Sequence, residues 1–520
     1  MKSLKNKAVL TALLFAFTVP LFAVEFSMRV LPSYDFLFAN KFSSTFGVAG
    51  SFDVSAFTFR GTDDLFFSVQ EKYLPLKAKG LEPYTFLDTT ITAGYDYGIN
   101  DRFTACAELG AGYWTIPKEL SGLSFSGRLS AYYNIFPELS AGAYVGFGLY
   151  SGGKASFVNS VELGISLKYN FSRGLFGKTN ITLENSRLEN IFPVFYSWYQ
   201  KNSLGCLPFK NDEKNDRTDL EVSIFIEQYM SNPEVCARID RVKRGDTFEV
   251  ELTAFLNETI LLNLEASKAD ARVTISYKSL GRRVQSVHSI ELQTLNRNNM
   301  TWEDDRRAAC FVSAKDGSAR YFANHVRSAV KDSLKSGIPE NVQYAQAMFG
   351  ALKAYGINYV IDASSAFTAN TGTAQIDSLN FPYQTLLYHG GDCDDLTILN
   401  CSLLEALGIQ TALVTVPGHI YMAVDTGLAV QEVSGTSNAS KYVIQDNKVW
   451  LLVEVTLCQD TWDEAKRYGL REWNKYAEER RLYPLEQAWE LYKPIGIADS
   501  NMTLDLPTKK QIVQEFSKTF

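Results

Sequence analysis

The chain contains few of the side chains on which metal and redox chemistry depends. Its 520 residues include four His and seven Cys, and no two Cys form a Cys-x-x-Cys pair. This excludes zinc fingers, zinc ribbons and ferredoxin-type iron–sulfur proteins, whose sites need paired Cys or clustered His. It also excludes a small disulfide scaffold. We expect no cofactor and no metal, whereas chemistry that needs one Cys and one His remains open.

Excess positive charge is absent as well. The 51 Lys and Arg face 58 Asp and Glu, a net charge of −7. A nucleic-acid-binding protein carries a strongly basic surface, so nucleic acid is not an expected partner. The length exceeds that of one domain of about 150 residues several times. The abundant residues are Tyr, Phe and Gly, with 27, 34 and 34 copies, and this composition suits β structure.

A long apolar run occurs at the N-terminus. Three Lys within the first seven residues precede an apolar segment over residues 8–22, and Ala23 closes it. This order is typical of a secretory signal peptide. A membrane anchor is the alternative, but an interrupted core of ~15 residues is shorter than the ~20 that span a bilayer as a helix. We therefore predict a signal peptide over residues 1–23 and an exported protein.

Residues 25–171 alternate with a period of two. In the segment 161–171 every odd position is apolar and every even position is polar or small, which predicts a strand with one apolar face. Eight such strands of about ten residues are predicted, a length that suits a tilted membrane strand. They cover residues 25–34, 45–59, 64–76, 87–99, 103–113, 123–135, 139–149 and 161–171.

A membrane barrel explains this region better than a soluble β-sandwich, which also alternates. Aromatic residues such as Tyr97, Tyr113 and Tyr133 gather at strand ends, and short links alternate with longer ones, both typical of outer-membrane barrels. The region resembles small outer-membrane barrels of Gram-negative bacteria, and Tyr169-Asn170-Phe171 is similar to their closing strand. The resemblance implies an eight-stranded antiparallel barrel over residues 24–172, set in outer-membrane lipid, with its interior filled by side chains. An even strand count then places the C-terminal domains in the periplasm.

Residues 173–295 are predicted to form a linker followed by a β-sandwich. Four short strands separated by polar turns are expected, over residues 220–226, 247–252, 259–264 and 271–277. The module resembles an immunoglobulin-like domain, although it lacks the Cys–Trp–Cys signature. Cys206 and Cys236 either form a disulfide, which export permits, or are two buried thiols. We expect a spacer or contact surface without catalytic residues.

Beyond residue 300 the pattern becomes helical, and one predicted helix carries a Cys in its first turn. Gly390-Gly391 forms a turn and Asp392 is a suitable N-cap. An apolar stripe over residues 396–407 follows, and Gly408 ends the helix. Cys393 therefore lies where free backbone N–H groups and the helix dipole lower the pKa of a thiol. We expect a nucleophilic thiolate at this position.

A base and a carboxylate follow on predicted strands. His419 opens a strand, and Glu454 lies among the apolar residues of a strand over 450–456. In an antiparallel meander these two side chains are neighbours, with the helix N-terminus beside them. The Cys then serves as nucleophile, the His as base, and the carboxylate orients the imidazole. Asp425, six residues after the His, is the alternative third member.

These motifs resemble those of the transglutaminase-like cysteine-protease superfamily. Gly391-Asp-Cys-Asp-Asp395 opens a helix, Pro-Gly-His419 opens a strand, and Trp450 to Thr456 follow, in the superfamily's order. The resemblance implies a papain-like α+β domain over residues 296–495, with a tail over 496–520. It carries the nucleophile over to Cys393 and the base to His419. The family's third member is usually Asp, and the matching residue here is Glu454.

The resemblance also implies a function. Cys393 attacks a peptide or Gln side-chain amide and forms a thioester, so a protein or peptide is the expected substrate. Hydrolysis and crosslinking are both open, and family analogy favours hydrolysis. The alternative is a catalytically inactive envelope binding or structural protein. Gln384, upstream of the Cys, is the candidate that assists the oxyanion.

The whole chain is predicted to be a multidomain, β-rich α+β protein. A barrel, a β-sandwich and a transglutaminase-like domain follow one another, an arrangement similar to that of spirochaete envelope proteins. Peptidoglycan-linked or other envelope proteins are the further partners that this arrangement implies. Asp392, Asp394 and Asp395 either serve the helix N-terminus or offer oxygen ligands to Ca²⁺.

Overall fold

The protein is described from a computed structural model. The structure describes residues 25–38, 42–59, 63–78, 84–152, 155–171, 180–213, 215–361, 375–437, 439–497 and 503–518. The predicted signal peptide over residues 1–23 lies outside these ranges. Among the described residues, no helix is both long and apolar enough to cross a membrane.

The first part of the chain is one closed antiparallel sheet. Its long strands are β1 (Glu25–Phe38), β3 (Thr45–Phe59), β4 (Asp63–Ala78), β5 (Tyr84–Gly98), β6 (Phe103–Ile116), β7 (Leu120–Asn134), β8 (Leu139–Gly152) and β9 (Ala155–Asn170), and a short β2 (Phe42–Ser43) pairs with β4. Each long strand pairs with the next along the chain, and β9 pairs with β1, so the sheet closes on itself. The predicted eight-stranded antiparallel barrel is confirmed.

The eight long barrel strands contain 14 to 16 residues each. Seven of them are longer than predicted, whereas β3 has the predicted bounds 45–59. The predicted bounds followed the apolar alternation, and strand pairing continues beyond it mainly at the barrel end where β1 finishes and β9 begins. The alternation itself has the expected sides. In β9, Leu163 and Ile165 are exposed on the outer face, whereas Glu162 and Ser166 are buried inside.

Charged side chains fill much of the barrel interior. Arg29 lies 2.9 Å from both Asp53 and Glu108, and Arg128 contacts Glu108 and Glu162. These pairs join neighbouring strands and strands far apart in sequence, and they balance charges that would be costly to bury alone. Towards the barrel end where β1 finishes and β9 begins, the inward side chains become apolar and form a separate cluster. Its buried members are Leu74, Leu76, Phe86, Trp114, Ile116 and Tyr150.

The middle region forms two sheets. One contains β10 (Ile181–Leu183), β11 (Arg187–Leu188), β12 (Gly205–Asn211) and β15 (Thr247–Glu251), and the other contains β13 (Arg217–Ile226), β14 (Glu234–Val242), β16 (Ser267–Ser279) and β17 (Arg282–Thr294). The predicted strand over 259–264 is wrong, because Glu258–Leu262 is a 3₁₀ helix. Asn257 caps it by accepting from Thr259 N–H at 3.1 Å, a local bond that competes with strand pairing. Cys206 and Cys236 are free thiols, so the disulfide alternative is not formed.

The C-terminal region combines helices with a five-stranded sheet. The helices are α1 (Gly317–Val330), α2 (Glu340–Tyr355), α3 (Pro382–Tyr388), α4 (Cys393–Glu405), α5 (Val430–Val433), α6 (Trp462–Lys475), α7 (Leu485–Leu491) and α8 (Lys509–Ser517). Two small sheets pair β18 (Asn299–Thr301) with β20 (Ile376–Ser378) and β19 (Asn358–Tyr359) with β21 (Gly390–Gly391). The main sheet contains β22 (Thr411–Val416), β23 (His419–Asp425), β24 (Val443–Gln445), β25 (Lys448–Val453) and β26 (Arg481–Pro484), in the order β24-β25-β23-β22-β26.

The two sheets of the middle region, called the sandwich below, share one hydrophobic core with the C-terminal elements. The rings of Phe195 and Tyr492 are 5.8 Å apart, and Arg297 donates to the Tyr383 hydroxyl at 2.8 Å. The core reaches into the predicted tail, where Phe516 of α8 is buried. The sandwich is therefore built into the C-terminal part and is no detached spacer.

The sandwich also contacts the barrel, at the turn between β5 and β6. Arg217 and Asn215 donate to the same oxygen of Asp101 at 3.1 and 3.0 Å, and Arg217 pairs with Glu213 at 3.0 Å. This turn lies at the end of the barrel where β1 begins and β9 finishes. In the closed strand order, the β5–β6 turn is nearly opposite the finish of β9. The sandwich is thus attached on two opposite sides of one barrel end.

Candidate active site

Cys393 is the first residue of α4 and is only 4% exposed. The preceding Asp392 is extended, as an N-cap should be, but its side chain makes no capping hydrogen bond. Thr397 Oγ1 donates to the Cys393 carbonyl at 2.6 Å and lies 3.3 Å from the Ile420 carbonyl. The first turn of α4 is therefore packed against the start of β23, where His419 lies.

Burial raises the pKa of the Cys393 thiol, and the charges of Asp394 and Asp392 raise it further. A hydrogen bond from the backbone N–H of Ile420 acts in the opposite direction. The expected lowering of this pKa by the helix N-terminus is thus wrong, because desolvation and acidic neighbours outweigh it. A thiol with a raised pKa is protonated at neutral pH, so the predicted role of Cys393 as a nucleophile would require a base that takes its proton.

The base and the carboxylate are in direct contact. His419 Nε2 lies 2.6 Å from Glu454 Oε2, with the two side chains 25% and 4% exposed. A carboxylate can only accept, so we assign the proton to Nε2, which leaves Nδ1 as the acceptor. Burial acts to lower the pKa of His419, but the hydrogen bond and charge of Glu454, with Glu472, raise it overall.

Glu454 was predicted to lie within a strand, but it lies one residue beyond the end of β25. Here the strand ends at Val453, and Glu454 caps the 3₁₀ helix Val455–Leu457. Its Oε1 accepts from the backbone N–H and the hydroxyl of Thr456, at 3.1 and 2.7 Å. Because β25 pairs with β23, this short turn brings the carboxylate beside His419.

The structure places the alternative residues elsewhere. Asp425 ends β23 and accepts from Gly427 N–H at 3.0 Å. Six residues of strand at ~3.3 Å each set it ~20 Å from His419 along the strand. Gln384 caps α3 by accepting from Phe381 N–H at 2.9 Å. Its carbonyl oxygen thus has a structural role, and its part at the oxyanion stays a prediction.

The acidic residues beside Cys393 are held by the protein itself. Asp395 accepts from the backbone and side-chain amides of Asn380, at 2.6 and 2.7 Å. Burial and the charge of Asp392 raise the pKa of Asp395 to about 7. Burial likewise raises the pKa of Asp394, which accepts from Asp395 N–H at 2.7 Å. Carboxyl oxygens of the three Asp lie within 4.8 Å of one another, and Asp392 Oδ1 is buried with no hydrogen-bond partner among the described residues, so the helix-start role and the Ca²⁺ site both stay predictions.

Sequence reasoning missed two residues that hold the base and the carboxylate. Tyr421 stacks on His419 with ring centres 5.7 Å apart and an angle of 24°, and its hydroxyl donates to Gly469 O at 3.1 Å. A signal for Tyr421 was present, because residues two apart on a strand share a face. Thr456 contacts Glu454, and its spacing alone did not reveal this role.

No protein-family model matches the sequence, and no curated protein matches it. Among solved structures, surface protein A of Neisseria (NspA) is similar, with 13% identity, 29% of this chain and 100% of that chain covered, and a TM-score of 0.25. Ail of Yersinia pestis in complex with sucrose octasulfate has 16% identity, coverage of 28% and 97%, and a TM-score of 0.20. The N-terminal β-barrel domain of Pseudomonas aeruginosa OprF has 12% identity, coverage of 28% and 97%, and a TM-score of 0.18. At such values the likeness says nothing about what this chain binds or does.

Proposed function

We propose that this protein is an outer-membrane-anchored cysteine hydrolase of the transglutaminase-like type. Cys393 is the proposed nucleophile, His419 the base and Glu454 the orienting carboxylate. The hydrogen bond of 2.6 Å between His419 and Glu454 carries the proposal, since it orients an imidazole at the start of β23, the strand against which the first turn of α4 packs. The proposed substrate is a peptide bond or a Gln side-chain amide in a protein.

In the proposed reaction, His419 Nδ1 takes the thiol proton as Cys393 Sγ attacks the amide carbonyl. The backbone N–H of Cys393, at the start of α4, is the proposed backbone donor to the developing oxyanion, and Gln384 remains the proposed side-chain donor. His419 then gives the proton to the leaving amine, and a thioester remains. Attack by water on the thioester completes hydrolysis, whereas attack by a lysine amine would give a crosslink.

The proposed membrane anchor is the barrel. Its outer face exposes large apolar side chains such as Leu109, Leu129 and Ile165, a surface that lipid covers at less cost than water. The C-terminal parts are proposed to be periplasmic. They follow β9 at the barrel end where β1 begins, which is the side to which an even number of strands returns the chain.

One observation favours a second candidate, a non-catalytic envelope protein that binds peptides or wall-linked partners. Cys393 is almost fully buried, and burial and acidic neighbours raise the pKa of its thiol. Buried thiols of this kind are commonly inert.

Labelling of the full-length protein in detergent by a thiol-directed acyl probe tests the proposal. Cys401, two turns along α4 and also buried, provides the matched control. We expect the wild type and Cys401→Ala to be labelled, and Cys393→Ala and His419→Ala to lose labelling. Equal labelling of Cys393→Ala would exclude this nucleophile. A folded wild type that the probe does not label would favour the binding protein.

A further inference from the structure

Glu454 is held at both carboxylate oxygens, one by His419 and the other by Thr456. We propose that Thr456 is a positioning residue for the general base: its hydroxyl fixes Glu454 Oε1 so that Oε2 presents the imidazole of His419 to Cys393. This inference rests on the proposed function and adds a residue whose hydroxyl has no assigned role. Its geometric basis is the 2.7 Å bond from Thr456 Oγ1 to Glu454 Oε1.

A Glu needs such an anchor more than the shorter Asp would, because it has one more rotatable bond. The backbone at this position is already fixed. Glu454 N–H donates to Ala465 O at 3.0 Å, and a methyl group added to Gly469 of α6 would meet backbone atoms of Val453 and Glu454 at 3.2 to 3.3 Å. With the backbone fixed and Oε1 bonded twice by Thr456, the direction of Oε2 is determined.

The imidazole is held from a second side. Tyr421 stacks on the His419 ring, and the Tyr421 hydroxyl is itself bonded to Gly469 O at 3.1 Å. The stacking fixes the plane of the imidazole ring, and the bond from Nε2 to Glu454 then sets the direction of the ring within that plane. Any looseness of the carboxylate therefore passes directly to Nδ1, the nitrogen that must reach the thiol.

The simpler explanation is that Thr456 only stabilises the 3₁₀ turn. The two bonds from Thr456 to Glu454 allow the two explanations to be tested separately. The backbone N–H makes the helix cap, whereas the hydroxyl makes an additional bond. Thr456→Val removes the hydroxyl and keeps the shape and the N–H. Thr456→Ser keeps both bonds.

The experiment is the pH profile of Cys393 alkylation by iodoacetamide in the full-length protein, read by mass spectrometry on the peptide that contains Cys393. For Thr456→Val we expect a plateau rate at least about tenfold lower, because proton transfer by a positioned base is worth about 10²–10⁴. We also expect the inflection to move to lower pH, since Glu454 holds the imidazolium less firmly. Thr456→Ser should restore both values.

The matched control is Thr461→Val, which removes a hydroxyl that caps α6 by accepting from Glu464 N–H at 3.2 Å. It should keep the wild-type profile. Should the Val variant not fold, Thr456→Ala removes the same hydroxyl without bulk. A wild-type profile in Thr456→Val or Thr456→Ala, or no rescue by Thr456→Ser, overturns the positioning role. The proposed function still holds in that case if His419→Ala changes the profile. If His419→Ala leaves the profile unchanged, the proposed function itself fails.

Discussion

Replacing Glu454 by Gln should switch the protonated nitrogen of His419. The Thr456 backbone N–H can only donate, so the Gln carbonyl oxygen has to take the place of Glu454 Oε1. The Gln NH₂ group then faces His419 Nε2, which must accept instead of donate. The imidazole proton moves to Nδ1, and the nitrogen proposed to take the thiol proton of Cys393 can no longer act as a base.

The size of the effect follows from these contacts. The number of hydrogen bonds is conserved, but charge-assisted bonds of about 1.5–3 kcal/mol become neutral ones of about 0.5–1.5 kcal/mol. We expect a loss of about 1 kcal/mol in the free energy of unfolding. In Ser-His-Asp enzymes the equivalent amide substitution lowers kcat about 10⁴-fold for the same reason. We therefore expect a fall in turnover of about 10²–10⁴-fold.

The assay uses the scarcity of His in this chain. With ¹⁵N-labelled His, the nitrogen spectrum contains signals from four imidazoles, and His419→Ala identifies the pair that belongs to His419. The wild type should show the Nε2–H form at high pH, and Glu454→Gln should show the Nδ1–H form. An unchanged tautomer in a folded Glu454→Gln protein would refute the reasoning, and wild-type turnover in this variant would do so as well.

Two further predictions concern stability. Arg217→Ala leaves the buried Glu213 and the partly exposed Asp101 without their shared cation. We therefore expect the free energy of unfolding, measured with urea, to fall by about 3 kcal/mol, and proteolysis between the barrel and the sandwich to become faster. Arg241→Ala breaks an exposed pair with Asp216 and should leave both values unchanged. Burial raises the pKa of Asp316 to about 6, although hydrogen bonds from the N–H groups of Ala319 and Ser318 lower it. This pKa exceeds that of an unfolded Asp, so stability should fall as the pH rises from about 4 to 6. Because Asn also caps helices, Asp316→Asn should raise Tm at pH 7.5 and have little effect at pH 4, and an equal shift at both pH values would contradict this explanation.

Much of the barrel could be predicted because its outer face and its interior impose opposite demands on alternate residues. That contrast disappears at the rims, which is why β4 was expected to end at residue 76 and continues to Ala78. The partners inside the barrel could not be predicted. Arg29 meets Glu108 across 79 positions of the chain, and such a pair depends on the register of several strands at once.

The site illustrates the same limit. Local rules placed Cys393 at a helix start and His419 at a strand start, and both elements are present. The effect on the thiol pKa was expected with the wrong sign, because burial of the first turn of α4 is decided by its packing against β23. The role of Thr456 depends on a side-chain bond in a turn that was expected to be strand.

The attachment of the sandwich on two sides of one barrel end limits the range of positions that the proposed active site can reach. An enzyme on a flexible linker samples a volume set by the length of that linker. Here the hydrogen bonds to Asp101 and the shared core restrict that freedom, so the proposed active site at Cys393 would stay close to one height relative to the barrel end. A substrate would have to lie at that height, as a polymer in a layer parallel to the membrane does. Lengthening the connection after β9 would therefore change which substrates the proposed active site reaches, rather than the rate at which each is hydrolysed.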